Sequence, residues 1–117
     1  MQYICLIYSA ENTGPQPDTP EFNAMLQEYG KFTQEVQEKG VLVAGDALQP
    51  VSTATTVTRE NGKIEITDGP FAETKETLGG YYLLECKSLD EAIEHAAKIP
   101  TATHGRIEIR PLMVFDN

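Results

Sequence analysis

Residues 68–76, with the sequence DGPFAETKE, carry four ionisable side chains within nine positions. A carboxylate in such a loop can act as a general base, which makes Asp68 the first catalytic candidate. His104 is the second, because an imidazole with an unperturbed pKa of about 6.5 suits acid–base chemistry at neutral pH. The alternatives are a turn-forming role for Asp68 and a surface loop position for His104.

Four further charged side chains are candidates for ligand binding. Glu73 and Lys75 offer both signs of charge, and they can bind a polar ligand, form ion pairs or keep the loop solvated. Arg106 and Arg110 share one face of a predicted strand, and a guanidinium group binds a carboxylate through two parallel hydrogen bonds. These arginines suit a small anionic ligand, and ion pairs across a dimer are the structural alternative.

Several other kinds of site have no motif in this sequence. No serine–histidine–aspartate constellation has motif support, and no histidine–cysteine cluster has zinc spacing. Gly79-Gly80 leads into a strand and has no following Lys-Ser/Thr, so it is not a phosphate-binding loop. We therefore expect neither a metal nor an organic cofactor.

Composition limits the class of protein. With 117 residues, 9 basic and 18 acidic side chains and a formal net charge of −9, we expect one globular domain spanning residues 1–117. Such a surface repels phosphate backbones and anionic lipids, which argues against direct nucleic-acid or membrane binding. No apolar run approaches the ~20 residues of a membrane span. We expect a cytoplasmic protein without an export signal, in which Cys5 and Cys86 are reduced core residues.

The first half of the chain predicts a strand, a helix and a second strand. Residues 2–8 are a run of strand formers. Thr19 can cap a helix with an apolar face that ends at Gly40. A short strand over residues 41–44 follows, and Gly45-Asp46 is expected to break it.

The second half predicts a hairpin and a second strand–helix–strand unit. Residues 53–59 and 63–67 alternate around an Asn61-Gly62 turn. Phe71 is expected to anchor the following loop to the body of the protein. A strand at residues 81–86 leads to a helix with a Ser88–Glu91 capping box. The predicted apolar stripe of this helix includes Leu89, Ala92 and Ile93, and His95 is expected on its solvated side. A strand over residues 106–112 is last.

This order predicts a ferredoxin-like α+β sandwich, β-α-β, hairpin, β-α-β, with two helices on one face of a mostly antiparallel sheet. The strands at residues 3–8, 41–44 and 81–84 are apolar at nearly every position, as in strands covered on both faces. Because two helices cover only one face, we expect a homodimer in which the other faces of two sheets meet.

Four blocks of sequence carry a family resemblance. They are residues 43–50 (VAGDALQP), 67–76 (TDGPFAETKE), 78–82 (LGGYY) and 104–111 (HGRIEIRP). With them the chain resembles the DGPF family, a branch of the YCII-related domain. The resemblance implies a dimeric ferredoxin-like domain, usually bacterial and cytoplasmic, without an assigned activity. DGPF domains also occur beside or fused to extracytoplasmic-function sigma factors.

The chain departs from the wider YCII-related pattern at two positions. Those proteins share a histidine on the first helix and an aspartate before the proline that follows the second helix. Counted from Gly40, the helix position is Tyr29, and the residue before Pro100 is Ile99. The histidine–aspartate mechanism that the resemblance implies therefore lacks its residues here.

Two hypotheses of function remain. One is a regulatory or ligand-sensing module that acts with a sigma factor, for which an acidic surface suits a basic, DNA-binding partner. The other, which the resemblance to the wider YCII-related group implies, is a cofactor-independent lyase or isomerase with a pocket near residues 68–76. In that enzyme Asp68 and His104 would be the base and acid, and Arg110 would hold an anionic substrate.

Overall fold

The chain begins with a strand and a long helix. The computed structural model describes residues 1–115, in which β1 is Gln2–Ser9 and α1 is Pro20–Glu38. The Phe22 amide donates to Thr19 Oγ1 at 3.1 Å, so Thr19 caps α1 as predicted. Gly40 follows the helix with a φ of 71°, which also confirms the predicted helix end.

Four strands form the main sheet. The remaining elements are β2 (Leu42–Ala47), β3 (Thr55–Glu60), β4 (Lys63–Asp68), β5 (Thr77–Glu85), α2 (Leu89–Ala96) and β6 (Arg106–Pro111). The sheet has the order β2-β5-β1-β6, and all neighbouring strands are antiparallel. Two helices packed against this sheet give an α+β fold with ferredoxin-like strand order, which confirms the predicted fold class.

The β3–β4 hairpin is a separate two-stranded sheet. Its strands pair from Thr55 with Asp68 to Glu60 with Lys63. Asn61 and Gly62 have φ values of 51° and 79°, as a two-residue hairpin turn with two left-handed residues requires. Within residues 1–115 no strand ladder joins this hairpin to the main sheet.

The core lies between the main sheet and the helices. Alternate residues of β1 (Tyr3, Cys5 and Ile7) are buried on the helix side, where α1 adds Phe32 and Val36. The intervening side chains point to the other face. That open face of the sheet is formed by Ile4, Leu6, Tyr81 and Leu83, which are only half-buried.

Two local predictions are wrong. β2 continues through Gly45 and Asp46, because these residues pair with Tyr82 and Tyr81 of β5. Glycine is needed at this strand position because a Cβ at Gly45 would lie 2.6 Å from Tyr82 Cδ1. Phe71 does not anchor its loop to this chain, since 88% of its surface is exposed.

The burial of α2 also differs from the prediction. Leu89 and Ile93 are exposed, whereas His95 is only 7% exposed. The helix approaches the sheet through the small side chains of Ala92 and Ala96, and this orientation turns position 95 inward and position 93 outward. The Ser88 cap itself is confirmed, because the Glu91 amide donates to Ser88 Oγ at 3.2 Å. Neither α1 nor α2 has the length and apolarity needed to cross a membrane.

Candidate ligand-binding cleft

A cleft of about 460 Å³ separates the first half of α1 from one end of the main sheet. Its volume lies within the range of small-molecule sites. Phe22, Met25 and Leu26 of α1 form one wall, and the ends of β2 and β5 form the other. The remaining lining residues are Ile7, Ser9, Tyr29, Thr33, Leu42, Gly45, Asp46, Ala47, Gly79, Gly80, Tyr81, Tyr82 and Thr101.

Two pairs of hydroxyl groups line the cleft. Tyr29 and Thr101 are hydrogen-bonded to each other, and Thr33 Oγ1 lies 2.8 Å from the Tyr82 hydroxyl. Burial raises the pKa of Tyr29, so this phenol keeps its proton at neutral pH. The cleft therefore offers neutral hydrogen-bonding groups on largely apolar walls.

The position of Tyr82 determines the shape of the cleft. Its ring meets Phe32 edge to face, with centroids 5.0 Å apart and an interplanar angle of 68°. The ring lies beside Gly45 of β2, where the missing side chain leaves room for it. The hydroxyl then reaches Thr33 on α1. The Tyr82 ring thus connects β2 and β5 to α1 at the base of the cleft.

The cleft carries little charge. Among the described residues Asp46 is the single acidic residue of the lining, and its carboxylate lies on the open face of the sheet, where the Tyr81 hydroxyl donates to Asp46 Oδ2 at 2.9 Å. This hydrogen bond to a carboxylate raises the pKa of Tyr81. Within residues 1–115 the lining includes no lysine, arginine or histidine. An anionic ligand would find no opposite charge there.

The two predicted catalytic residues lie on different parts of the chain. Asp68 is exposed at the end of β4, opposite Thr55. His104 is exposed after the 3-10 turn Pro100–Thr103, with its ring close to Gly14. Within residues 1–115 no hydrogen bond or ion pair joins them, and neither lines the cleft. Their catalytic role stays a prediction.

The four predicted ligand-binding residues also lie outside the cleft. Glu73 and Lys75 are exposed in the loop after β4. Arg106 Nε lies 3.4 Å from Glu76 Oε1, in an ion pair that ties this loop to β6. Arg110 is exposed on β6 and pairs in register with Ile4, on the open face of the sheet. Two of the four thus lie on β6 and two in the loop.

No motif singled out in the sequence predicted the cleft. The signal that could have found it was glycine within strands, at Gly45 and Gly80, because such positions mark close approach by a side chain, a backbone or a ligand. A Cβ at Gly80 would lie 2.8 Å from the Asp46 carbonyl oxygen. The described residues 1–115 contain no group of three histidine, cysteine or acidic side chains that could hold a metal ion.

The sequence of this chain matches a known protein family. The family model of the YCII-related domain matches residues 1–116, so the chain belongs to the YCII-related domain family. It is also similar to an uncharacterised protein of Rhizobium meliloti (strain 1021), with 34% identity over 117 residues. That alignment covers 98% of this chain and 94% of the relative. These comparisons confirm the expected family, whose function is unknown.

The two positions at which this chain departs from the wider family pattern lie near the cleft. Tyr29 lines it, whereas Ile99 is 1% exposed and directly precedes the Pro100–Thr103 turn. Thr101 in that turn supplies the hydroxyl that bonds to Tyr29. A neutral phenol therefore stands where the resemblance implies a histidine, and a buried isoleucine where it implies an aspartate.

Proposed function

We propose that this protein is a ligand-sensing module whose α1 cleft binds an uncharged, largely apolar small molecule. The cleft itself carries the proposal: a cavity of about 460 Å³ with aromatic and aliphatic walls and two hydroxyl pairs. Pockets of this size and composition are the usual form of small-molecule sites.

The chemistry of the lining selects the class of ligand. Desolvating an anion without a cationic partner is unfavourable, and no basic side chain from the described part of the chain lines the cleft. An uncharged ring system can pack between Phe22, Met25 and Tyr82. A hydroxyl or carbonyl group on the ligand can exchange hydrogen bonds with Tyr29 and Thr101, which orients it.

The cleft can be tested by titration with a neutral probe. We would titrate the protein with Nile red, an uncharged polycyclic dye, and record amide chemical shifts by NMR. We expect saturable shifts at Thr33, Gly45 and Gly80, because their amides border the cleft. Met25→Trp should fill the cleft and weaken binding at least 10-fold.

Leu89→Trp is the matched control, since Leu89 is exposed on α2 and does not line the cleft. It should bind the dye as the unaltered protein does. Shifts confined to the open face, or Met25→Trp protein that is folded by circular dichroism and binds equally well, would refute the proposed site. The location of the shifts in the unaltered protein decides the question even if Met25→Trp does not fold.

The unit that binds the ligand is proposed to be a homodimer. The open face of the sheet presents Ile4, Leu6 and Leu83 without a covering layer from the described chain. An apolar sheet face of this kind favours association with a second sheet. Two copies joined through this face would leave both clefts accessible on the helix side.

A regulatory partner is proposed from the DGPF resemblance and the net charge of −9. An extracytoplasmic-function sigma factor is the partner class that the resemblance implies, and a basic DNA-binding protein suits an acidic surface. Co-purification of the two proteins at physiological salt, with and without a cleft ligand, would test the pairing. Failure to co-purify in both conditions would argue against a direct contact.

A further inference from the structure

The β3–β4 hairpin, residues 55–68, has one apolar and one polar face. Val57 pairs with Ile66, and Ile64 pairs with Arg59, so the three apolar side chains share one side with Arg59 and with the end pair Thr55 and Asp68. The other side carries Thr56, Thr58, Glu60, Lys63, Glu65 and Thr67. We call this hairpin the arm and Val57, Ile64 and Ile66 its apolar face.

The apolar face of the arm is uncovered in the single chain. Val57, Ile64 and Ile66 are 61%, 60% and 68% exposed. An isolated two-stranded hairpin is at best marginally stable in water unless a further strand or layer packs on it. The sequence nevertheless places three large aliphatic residues on one side of the arm. A surface outside the single chain must cover them if the arm is to be ordered.

The shape of the chain shows that the arm extends from the body. The radius of gyration is 16.4 Å, and the principal extents are 47 × 47 × 19 Å. A compact chain of 100 residues has a radius of gyration of about 13 Å. Six-residue strands make the arm about 20 Å long. That length is sufficient to reach across a neighbouring molecule of this thickness.

We propose that the arm embraces a second copy of this chain, and that its apolar face packs on that copy beside the joined open faces of the two sheets. This inference rests on the proposed homodimer and adds an exchanged arm to it. Both apolar surfaces occur on the same chain. In a dimer with a two-fold axis, the two open faces meet each other and each arm packs on the other copy. A partner of another kind would cover the arm of one copy but would not account for the open face.

The combined area of the arm and the open face fits a stable dimer. From standard strand spacing, this face of the arm covers on the order of 200 Å² and the open face of the sheet on the order of 400 Å², with the charged residues of both faces included. Each copy gives one arm and receives one, which brings the interface close to the ~800 Å² per partner of a stable complex. The open face alone would bury about half of that. The arms therefore supply a large share of the contact.

Sedimentation equilibrium on two arm variants tests this inference. Val57→Thr with Ile66→Thr keeps β-branched side chains in the strands but removes two apolar groups from the interface. We expect its dimer dissociation constant to rise at least 10-fold. The control, Thr58→Ser with Glu65→Gln, alters the opposite pair on the polar face and should stay within twofold of the unaltered protein.

The outcomes separate the arm from the dimer. If the unaltered protein is monomeric at 50 μM, on the order of the concentrations at which a ~1 μM complex is fully formed, both proposals fail. If the Val57→Thr/Ile66→Thr protein dimerises with unchanged affinity, the arm proposal fails and the open-face dimer stands. Should that variant not fold, hydrogen exchange of the unaltered protein decides: protection of the arm amides must increase with protein concentration, and constant protection would overturn the inference.

Discussion

Buried hydroxyl and thiol groups are kept protonated in this protein. Burial raises the pKa of the Tyr29 phenol and raises that of the Cys5 thiol to about 11, with the nearby Cys86 adding to the shift. A nucleophile or general base working at neutral pH needs the opposite tuning. At the scale of single residues, these groups therefore suit binding and packing rather than proton transfer.

Stability at alkaline pH should depend on Cys5. The folded state favours the protonated thiol, because the pKa of Cys5 rises from 9.0 in water to about 11 in the folded protein. This stabilisation is fully present below pH 9 and is lost as the pH rises towards 11, by on the order of 2 kcal/mol. Urea denaturation of the unaltered and Cys5→Ala proteins at pH 7.5, 9 and 10.5 measures it. The unaltered protein should lose stability more steeply, and parallel curves would contradict the linkage.

Among the secondary-structure elements, the cleft is formed where α1 crosses the ends of β2 and β5. The Tyr82 ring of β5 lies against β2 at Gly45 and extends to α1 at Thr33. A helix lying closer to the sheet at this end would close the space, whereas the ring holds the two layers apart. Glycine at position 45 is thus part of the site even though it contributes no side chain.

Two glycine substitutions should have opposite effects on stability. A Cβ at Gly45 would lie 2.6 Å from Tyr82 Cδ1, so Gly45→Ala must displace the ring and should destabilise the fold by about 1–3 kcal/mol. Gly30 lies within α1 with open space where a side chain would project, and Gly30→Ala should stabilise by about 0.5–1 kcal/mol. Thermal unfolding of both variants measures the difference. If Gly45→Ala is as stable as Gly30→Ala, the Tyr82 ring can move away from position 45 without cost, and the predicted clash is wrong.

Local rules made much of the fold predictable from the sequence. The Thr19 and Ser88 caps, the Gly40 helix end and the Asn61-Gly62 turn depend on residues within a few positions of one another. Strand order followed from these elements and from general rules of connection.

The candidate site could not be predicted in this way because it depends on contacts distant in sequence. Tyr29 meets Thr101 across 72 positions, and Tyr82 meets Gly45 across two strands. The rotation of α2 that buries His95 likewise depends on the packing of Ala92 and Ala96 against the sheet. Charged residues attract attention in a sequence, whereas this cleft is built from hydroxyl, aromatic and glycine positions.

At the scale of the whole molecule, apolar surface and charge oppose each other. The open face and the arm favour self-association, but each copy carries a net charge of −9. Two such molecules repel each other over a distance set by the Debye length, about 30 Å at 0.01 M salt and about 10 Å at 0.1 M. Whether added salt strengthens or weakens the dimer should therefore show whether charge repulsion or attraction between charges dominates.

Raising sodium chloride from 10 to 150 mM, which shortens the Debye length from about 30 to about 8 Å, should tighten the proposed dimer. Screening removes the repulsion between the acidic copies, while burial of the open face and the arm is little affected. If ion pairs of Arg106 and Arg110 across the interface dominated instead, the same salt would weaken the dimer. Sedimentation equilibrium at both salt concentrations gives the sign. Arg110→Gln is the matching variant. If the interface is apolar, this variant should still dimerise more tightly at the higher salt concentration. Loss of dimerisation would show instead that the charged edge of β6 holds the two copies together.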